Sequence, residues 1–256
     1  MARRAAYQKP KTSSPAYFKW TFIIGGIALV ILTLWLLQRR YHFFHPDIIL
    51  GKQYTVLGID VSKHNGDIDF EKVAGEGYSF VFIKASEGAT YKDPNFDRNY
   101  IAARKAGLKV GAYHFFRKNR EGAAQARNFM RSVSGVQLDM PLVVDIEDWS
   151  NDYLVSKADT RKRLVEMVKT LKSSRRRIII YTNGNGYDEY YKPNFADDEL
   201  WLCSFNEPDS IKNTGHIFQQ YSHWGRVKGI KGDVDLNVFM GSKLKWRQWL
   251  DDVDDN

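Results

Sequence analysis

The chain has 256 residues, of which 43% are hydrophobic and 27% are charged, and this composition excludes a disordered or fibrous protein. The formal net charge of +8 is uneven, because residues 1–52 hold eight of the 38 basic residues and one of the 30 acidic residues, which leaves only +1 for the remainder. An almost neutral main domain has no overall basic surface for a polyphosphate, so we expect no nucleic acid partner.

The N-terminal segment contains an uncharged apolar run, WTFIIGGIALVILTLWLL, at residues 20–37. A run of this length is enough to cross a hydrocarbon core as a helix. The alternative is a cleaved signal peptide, but the run is longer than the usual apolar region and LLQRRYHFF follows it instead of a small-residue cleavage site. Five basic residues precede the run and two follow closely, which favours an uncleaved anchor with a cytoplasmic N-terminus.

Beyond this run, short apolar stretches alternate with amphipathic ones. The apolar stretches are VLGIDV, FVFIKA, KVGAYHFF, PLVVDIE, RIIIYT, LWLCSF, HIFQQY and VDLNVF. Between them, NFDRNYIAARKAG, REGAAQARNFMRSV and TRKRLVEMVKTLKSS carry apolar residues at three-to-four spacing, which predicts helices. Strands that alternate with helices indicate a mainly parallel sheet, and about eight strand candidates predict an α/β fold, a closed or nearly closed single-domain β/α barrel.

These patterns divide the chain into five predicted segments. They are a basic cytoplasmic segment at 1–19, a transmembrane signal anchor at 20–37, a linker at 38–53, the main domain at 54–242 and a C-terminal tail at 243–256. The tail, KLKWRQWLDDVDDN, switches from basic to acidic, which is typical of a solvated terminal extension.

An Asp-x-Glu motif ends the strand candidate PLVVDIE. Alternate residues of a strand face the same side, so Asp145 and Glu147 point together while Ile146 points away. Repulsion and partial burial raise the pKa of one carboxyl group, which can then donate a proton near neutral pH. Glycoside cleavage uses such a pair of carboxyl groups. A solvated strand end or a pair of ligands for a divalent cation would show the same short motif.

Two further acids occupy comparable positions. Asp60 closes the first strand candidate in GIDVSKHNG, and Asp235 follows a glycine-rich turn in GDVDLN. In a barrel, both would converge with the Asp-x-Glu motif at the C-terminal mouth, where active sites lie. A capping role for Asp60 and a turn role for Asp235 are the structural alternatives.

Aromatic and amide side chains also end the strand candidates. Such residues bind sugars, because pyranose faces pack on aromatic rings while hydroxyl groups form directional hydrogen bonds. Ordinary barrel packing is the alternative at each position. The candidate substrate-binding residues are Tyr113, His114, Tyr181, Trp201, Gln220 and Tyr221.

Other chemistries leave little trace in the sequence. Cys203 is the only cysteine, which excludes a disulfide within the chain and a cysteine-based structural zinc site. The six histidines form no H-E-x-x-H motif, and neither a G-x-S-x-G elbow nor a P-loop is present. Within the apolar LWLCSF run, Cys203 is interpreted as a small buried residue rather than a nucleophile.

An ordered series of motifs between residues 56 and 239 resembles the Chalaropsis-type lysozymes of glycoside hydrolase family 25. GIDVSKHNGDIDF is similar to the opening strand and turn of that family, and FIKASEGATYKDPNFDRNYIAARKAGLKVGAYHFF is similar to its central block. VVDIE, IIIYTN, FQQY and GDVDLN follow in the same order. HN in the opening turn and WLCSFN depart from the usual pattern, which bears on substrate preference.

The resemblance implies a flattened β/α barrel that cleaves the β-1,4 bond between N-acetylmuramic acid and N-acetylglucosamine, without a metal or an organic cofactor. It implies that Glu147 is the general acid and Asp145 its partner carboxylate. Asp60 and Asp235 match the other two acids of the site, and Tyr181 matches a strand-end tyrosine. Peptidoglycan glycan strands are then the expected partner, beside the membrane that residues 20–37 would span.

The expected protein is therefore a cell-wall-remodelling muramidase in the bacterial inner or cytoplasmic membrane. It would cross the membrane once, with its catalytic domain on the periplasmic or extracellular side. Two alternatives remain open at this point: an anchored module that binds peptidoglycan without cutting it, and a hydrolase of another N-acetylhexosamine polymer such as chitin.

Overall fold

The protein divides into two compact units in a computed structural model, residues 1–46 and residues 47–256. We call the second one the barrel unit. Most of the predicted basic segment at 1–19 and most of the predicted linker at 38–53 lie outside the described residues. The structure describes residues 16–41, 53–147, 154–211 and 214–254.

The first unit contains helix α1, Ala16–Tyr41. Within it, Trp20–Leu37 has a mean hydropathy of 2.3, and none of this stretch is buried. Among the described residues, α1 alone is long and apolar enough to cross a membrane. The same length and composition also fit an N-terminal signal sequence.

Eight strands of the barrel unit form a closed sheet. Strand β1 pairs with β2 on one side and with β9 on the other, which joins the two ends of the sheet. The predicted α/β barrel is thereby confirmed, and each of the eight strand candidates overlaps one of its strands. The strands are β1 (Leu57–Val61), β2 (Tyr78–Glu87), β4 (Lys109–Phe115), β5 (Leu142–Asp145), β6 (Ile178–Asn183), β7 (Glu199–Cys203), β8 (Phe218–Gly225) and β9 (Val234–Phe239), with a two-residue strand β3 (Tyr91–Lys92) paired to β2.

Strand β9 runs in the opposite direction from its neighbours. It is antiparallel to both β8 and β1, whereas the other barrel pairs are parallel. The beginning of β9 therefore lies at the mouth where the parallel strands end. Asp235, the second residue of β9, pairs directly with Asp60 of β1.

Helices surround the barrel and bury their apolar sides against it. The three predicted helices correspond to α3, α4 and α5. In α5, Ser156 caps the N-terminus by accepting a hydrogen bond from the backbone of Asp159, and Leu164, Met167 and Leu171 are buried. The helices are α2 (Phe70–Gly75), α3 (Phe96–Lys105), α4 (Gly122–Ser132), α5 (Lys157–Lys172), the short α6 (Gly184–Gly186) followed by a π-helical turn (Tyr187–Tyr191), and α7 (Lys243–Asp254).

The alternation of strand residues produces two hydrophobic layers. Val81 and Ile83 of β2 belong to the layer beneath the helices, whereas Phe80 and Phe82 belong to the layer inside the barrel. Glycine makes room for these inner rings. A Cβ atom at Gly58 would lie 2.3 Å from the ring of Phe80, so any larger residue there would displace the ring.

Helix α7 completes the inner layer, which corrects the expectation of a solvated tail at 243–256. Trp246 and Leu250 are buried, and the ring of Trp246 lies 5.4 Å from Phe80 and 5.1 Å from Phe239. The prediction relied on the change from basic to acidic residues and overlooked the spacing of Trp246 and Leu250, which at i and i+4 face the same side of a helix. The tail is a structural part of the barrel.

This packing makes the stability of the barrel unit depend on α7. We expect Trp246→Ala to lower the free energy of unfolding by about 3–5 kcal/mol, because it removes a large buried side chain and leaves a cavity. Leu244 on the same helix is 64% exposed, so Leu244→Ala should change stability by less than about 0.5 kcal/mol. Urea unfolding of the full chain in mild detergent, followed by near-ultraviolet circular dichroism, measures the stability of both variants. Equal unfolding midpoints for Trp246→Ala and Leu244→Ala would contradict the role given to α7.

Candidate active site

A cavity of about 440 Å³ opens at the mouth of the barrel. Eight of the ten predicted site residues line it, and His114 and Tyr221 do not. Its lining also contains residues that the sequence did not single out for the site. The lining residues are Asp60, Ser62, His64, Lys84, Tyr113, Phe115, Asp145, Glu147, Tyr181, Trp201, Gln220, His223 and Asp235.

The prediction placed His114 in the site, but its side chain lies outside the barrel. Strand alternation turns His114 away from the cavity that Tyr113 and Phe115 line. Its ring nitrogens lie 2.8 Å from the hydroxyl of Ser86 and 3.3 Å from the amide oxygen of Gln125. Burial lowers the pKa of His114 to about 4, so it is a neutral core residue.

Tyr221 is also absent from the cavity, because only one of two adjacent strand residues can face inward. Gln220 takes the inward position. The pairing of β8 with β9 then shifts its register between Gln220 and Ser222 and again before Gly225. These irregularities bring His223 into the lining, although strict alternation from Gln220 would turn it outward. A sequence pattern with period two cannot locate a bulge.

The Asp-x-Glu pair lies at the end of β5. Asp145 and Glu147 both line the cavity, and Ile146 between them is buried in the layer beneath the helices. Burial raises the pKa of Asp145 well above its usual value, and the charge of Glu147 raises it further. Burial also raises the pKa of Glu147, although His223 opposes this rise.

These shifts favour the protonated form of both carboxyl groups. Oδ1 of Asp145 is buried and has no hydrogen-bond partner among the described residues, a situation that costs less for a neutral acid than for a carboxylate. Tyr181 places its hydroxyl oxygen 3.4 Å from Oε1 of Glu147 and donates a hydrogen bond of 2.7 Å to Gln220. The pair is thus equipped to donate a proton.

Asp60 is fixed by two amide side chains. Gln220 and Asn237 each donate a hydrogen bond of 2.8 Å to its Oδ2 atom. Trp201 in turn donates a hydrogen bond of 2.9 Å to the amide oxygen of Asn237. Burial raises the pKa of Asp60, the nearby Asp235 raises it further, and the two amide hydrogen bonds lower it. Asn237 was missed, although its spacing of two from Asp235 in VDLN was the available signal.

His223 forms an ion pair with Asp235. Its Nδ1 atom lies 2.7 Å from Oδ1 of Asp235, and its Nε2 atom lies 3.9 Å from Sγ of Cys203. Burial lowers the pKa of His223, but the hydrogen bonds to Asp235 and Cys203 outweigh this effect and raise it to about 10. His223 is therefore an imidazolium ion at neutral pH and balances one of the four carboxyl groups in the cavity.

A second cation lies on another part of the wall. Lys84 forms an ion pair of 2.6 Å with Glu87, and its ammonium group lies 4.7 Å from the ring centroid of Phe115. Glu87 also binds Arg117. The position of Lys84 at the end of the FVFIKA strand was a usable signal in the sequence, but one isolated lysine is too common to indicate a site.

The four acids do not form a metal centre by their arrangement. Within residues 16–41, 53–147, 154–211 and 214–254, no group of three or more His, Cys, Asp or Glu side chains is placed to hold a metal ion. The arrangement instead combines two carboxyl groups with raised pKa values, two more acids and aromatic walls at the mouth of a β/α barrel. These features are typical of the active site of a glycoside hydrolase.

Comparisons with known proteins identify the family. The model of "Glycosyl hydrolases family 25" matches residues 59–230. The chain is 35% identical to YegX of Escherichia coli K12, and the match covers 80% of this chain and 77% of YegX. It is 36% identical to Lysozyme M1 of Streptomyces globisporus, and that match covers 74% of this chain and 69% of Lysozyme M1. A family 25 glycosyl hydrolase from Bacillus anthracis is similar in structure, with a TM-score of 0.71 and 31% identity over 80% of this chain and 97% of that one. The chain belongs to glycosyl hydrolase family 25.

The ion pair generates a prediction about protonation. We expect the imidazole of His223 to stay protonated until about pH 10, and its pKa to fall in Asp235→Asn, because the strongest interaction that opposes the effect of burial is then lost. Nitrogen-15 NMR of the full chain with labelled histidines, in detergent, follows the titration. The signal that is missing from the spectrum of His223→Gln is assigned to His223. His114, with a pKa of about 4, is the internal control that Asp235→Asn should leave unchanged. A wild-type His223 that loses its proton near pH 6.5 would contradict the ion pair.

Proposed function

We propose that the protein is a peptidoglycan muramidase that hydrolyses the β-1,4 bond between N-acetylmuramic acid and N-acetylglucosamine. The observation that carries the proposal is the buried pair of Asp145 and Glu147 at the barrel mouth, whose raised pKa values favour the protonated form that an acid catalyst needs. Membership of family 25 and similarity to Lysozyme M1 and to the autolytic lysozyme of Clostridium acetobutylicum support a wall glycan as the substrate.

In the proposed reaction, Glu147 donates its proton to the glycosidic oxygen as the bond from that oxygen to the anomeric carbon breaks. Positive charge then develops on the ring, and Asp145 or the 2-acetamido group of the sugar stabilises it. Water supplies the new hydroxyl group at the anomeric carbon, and its proton restores the acid form of the pair. No other reactant is required.

The remaining wall residues orient the sugar. Asp60, held by Gln220 and Asn237, and Asp235, held by His223, supply hydrogen-bond acceptors in fixed positions. We assign substrate binding to Tyr113, Tyr181, Trp201 and Gln220, which combine aromatic faces with polar groups around one cavity. His114 and Tyr221 are not part of this assignment.

The assignment of Glu147 is tested by Glu147→Gln. We expect this variant to cut purified peptidoglycan about 100 to 10,000 times more slowly than wild type, because it removes the transferable proton and keeps the shape of the side chain. Glu71→Gln is the matched control, since Glu71 lies on α2 with a side chain that is 72% exposed. Mass spectrometry of the reduced products detects muramic acid ends.

Each outcome of this experiment selects one interpretation. Reduced muramic acid ends from wild type and Glu71→Gln alone support both the activity and the assigned acid. A loss below tenfold in Glu147→Gln would refute that assignment. Wall binding without soluble products would instead identify a binding module, and faster digestion of chitin than of peptidoglycan would identify a different N-acetylhexosamine polymer as the substrate.

We further propose that Trp20–Leu37 is an uncleaved, single-pass signal anchor in the bacterial inner or cytoplasmic membrane. The apolar length of α1 supports a membrane span, and the excess of basic residues before the span supports an N-terminus in the cytoplasm. The catalytic domain, assigned to residues 54–242 together with α7, would then lie on the periplasmic or extracellular side, within reach of peptidoglycan. This placement suits wall remodelling close to the membrane.

Fractionation of cells tests the anchor. We expect the full chain to remain in the membrane fraction after a carbonate wash and to keep its N-terminal sequence, because an uncleaved helix is held by its apolar surface. A variant with Leu29→Lys and Leu32→Lys should be extracted by the same wash, since charged side chains are costly inside a bilayer. A wild-type protein recovered in soluble form with a new N-terminus after the span would identify a signal peptide.

A further inference from the structure

An aromatic cluster borders the cavity at the ends of β7 and β8. Phe205, His223 and Trp224 form this cluster, which we call the aromatic rim. The ring of Phe205 meets that of His223 edge to face at 4.6 Å and lies 5.5 Å from that of Trp224. His223 also lines the cavity beside Asp235, so the rim continues the cavity wall outward.

Phe205 is unusually accessible for its type. It is 43% exposed, and it is the one exposed Phe, Tyr or Trp side chain among the described residues of the barrel unit. Keeping an apolar ring in water at the mouth of a cavity forgoes the stabilisation that burial would give. Together with the partly exposed rings of His223 and Trp224, Phe205 forms a contiguous surface at the cavity mouth, and such surfaces are typical of ligand-binding sites.

The backbone on both sides of Phe205 is held in place. Gln219 is fully buried, and its side-chain amide donates hydrogen bonds of 2.7 Å to the carbonyl group of Ser204 and 2.8 Å to that of Asn206. The backbone nitrogen of Ser204 also donates to the carbonyl group of Gln220 at 3.0 Å. The backbone that carries the exposed ring is therefore preorganised, which lowers the entropic cost of binding a ligand.

We propose that the aromatic rim is an additional saccharide subsite, where one N-acetylhexosamine ring of the glycan strand packs on Phe205 outside the cavity. This inference rests on the proposed function. The charge of His223 is balanced by Asp235, so the rim attracts the sugar by ring contact rather than by net charge. Ser204 and Asn206 flank Phe205 and offer polar groups to the hydroxyl and acetamido substituents.

A binding experiment on the full chain in detergent tests the subsite without requiring turnover. In the Glu147→Gln background, we expect Phe205→Ala to weaken binding of soluble glycan strands about three- to tenfold, the range that an aromatic contact contributes. Phe205→Trp should restore the affinity, because it returns an aromatic face. Ile101→Ala is the control, since Ile101 is 65% exposed on α3 and has no part in the site.

Kinetics separate a subsite from a structural effect. With Glu147 intact, Phe205→Ala should raise KM for long strands and leave kcat unchanged, and it should have no effect on the shortest oligosaccharide that wild type cleaves. Equal binding of long strands by the Phe205→Ala and parent proteins would overturn the subsite, and so would an equal loss on short and long substrates. A wild type that binds through Phe205 but cuts neither substrate would refute the muramidase and keep the subsite.

Discussion

Crowding of negative charge is the constraint on which the site depends. Four carboxyl groups share a cavity of about 440 Å³, and burial makes full ionisation of all four costly. The chain meets this cost in three ways: amide donors hold Asp60, an imidazolium ion pairs with Asp235, and raised pKa values favour the protonated form of the Asp-x-Glu pair. The third solution also suits the proposed chemistry, because protonation relieves the repulsion and supplies the proton that the acid donates and regains in each turnover.

The direction of the barrel strands brings the four carboxyl groups together. Seven parallel strands bring their carboxyl ends to one mouth, and the antiparallel β9 adds its beginning to the same rim, so Asp60 and Asp235 become direct neighbours. The opposite end is filled by the inner layer of aromatic rings and closed by Trp246 of α7. Polar groups at one end therefore face the substrate, while apolar groups at the other end stabilise the scaffold.

Much of this arrangement could be predicted from the sequence, because strand and helix periodicities are local. The eight strands, three helices and the convergence of Asp145 with Glu147 all follow from spacing. The direction of adjacent side chains could not be predicted in this way. Tyr113 faces the cavity and His114 does not, because the position of the strand in the sheet decides which of two alternate sets of side chains points inward. The register shifts of β8 bring His223 inward, and only the pairing with β9 reveals them. The burial of Trp246 depends on a tertiary contact with β2 and β9.

Closure of the sheet has a kinetic consequence. The strand that begins the barrel, β1, completes its hydrogen bonding only with the strand that ends it, β9, and α7 then follows in the chain. Contacts between such distant segments are slow to form, because the entropy of closing the intervening loop is lost before the pairing is gained. A nascent chain that still lacks its last segment would have neither Asp235, nor the β9 strand that pairs with β1, nor the aromatic side chains of α7 that fill the barrel. The complete site therefore requires both ends of the barrel, and we expect it to form only after synthesis has delivered β9.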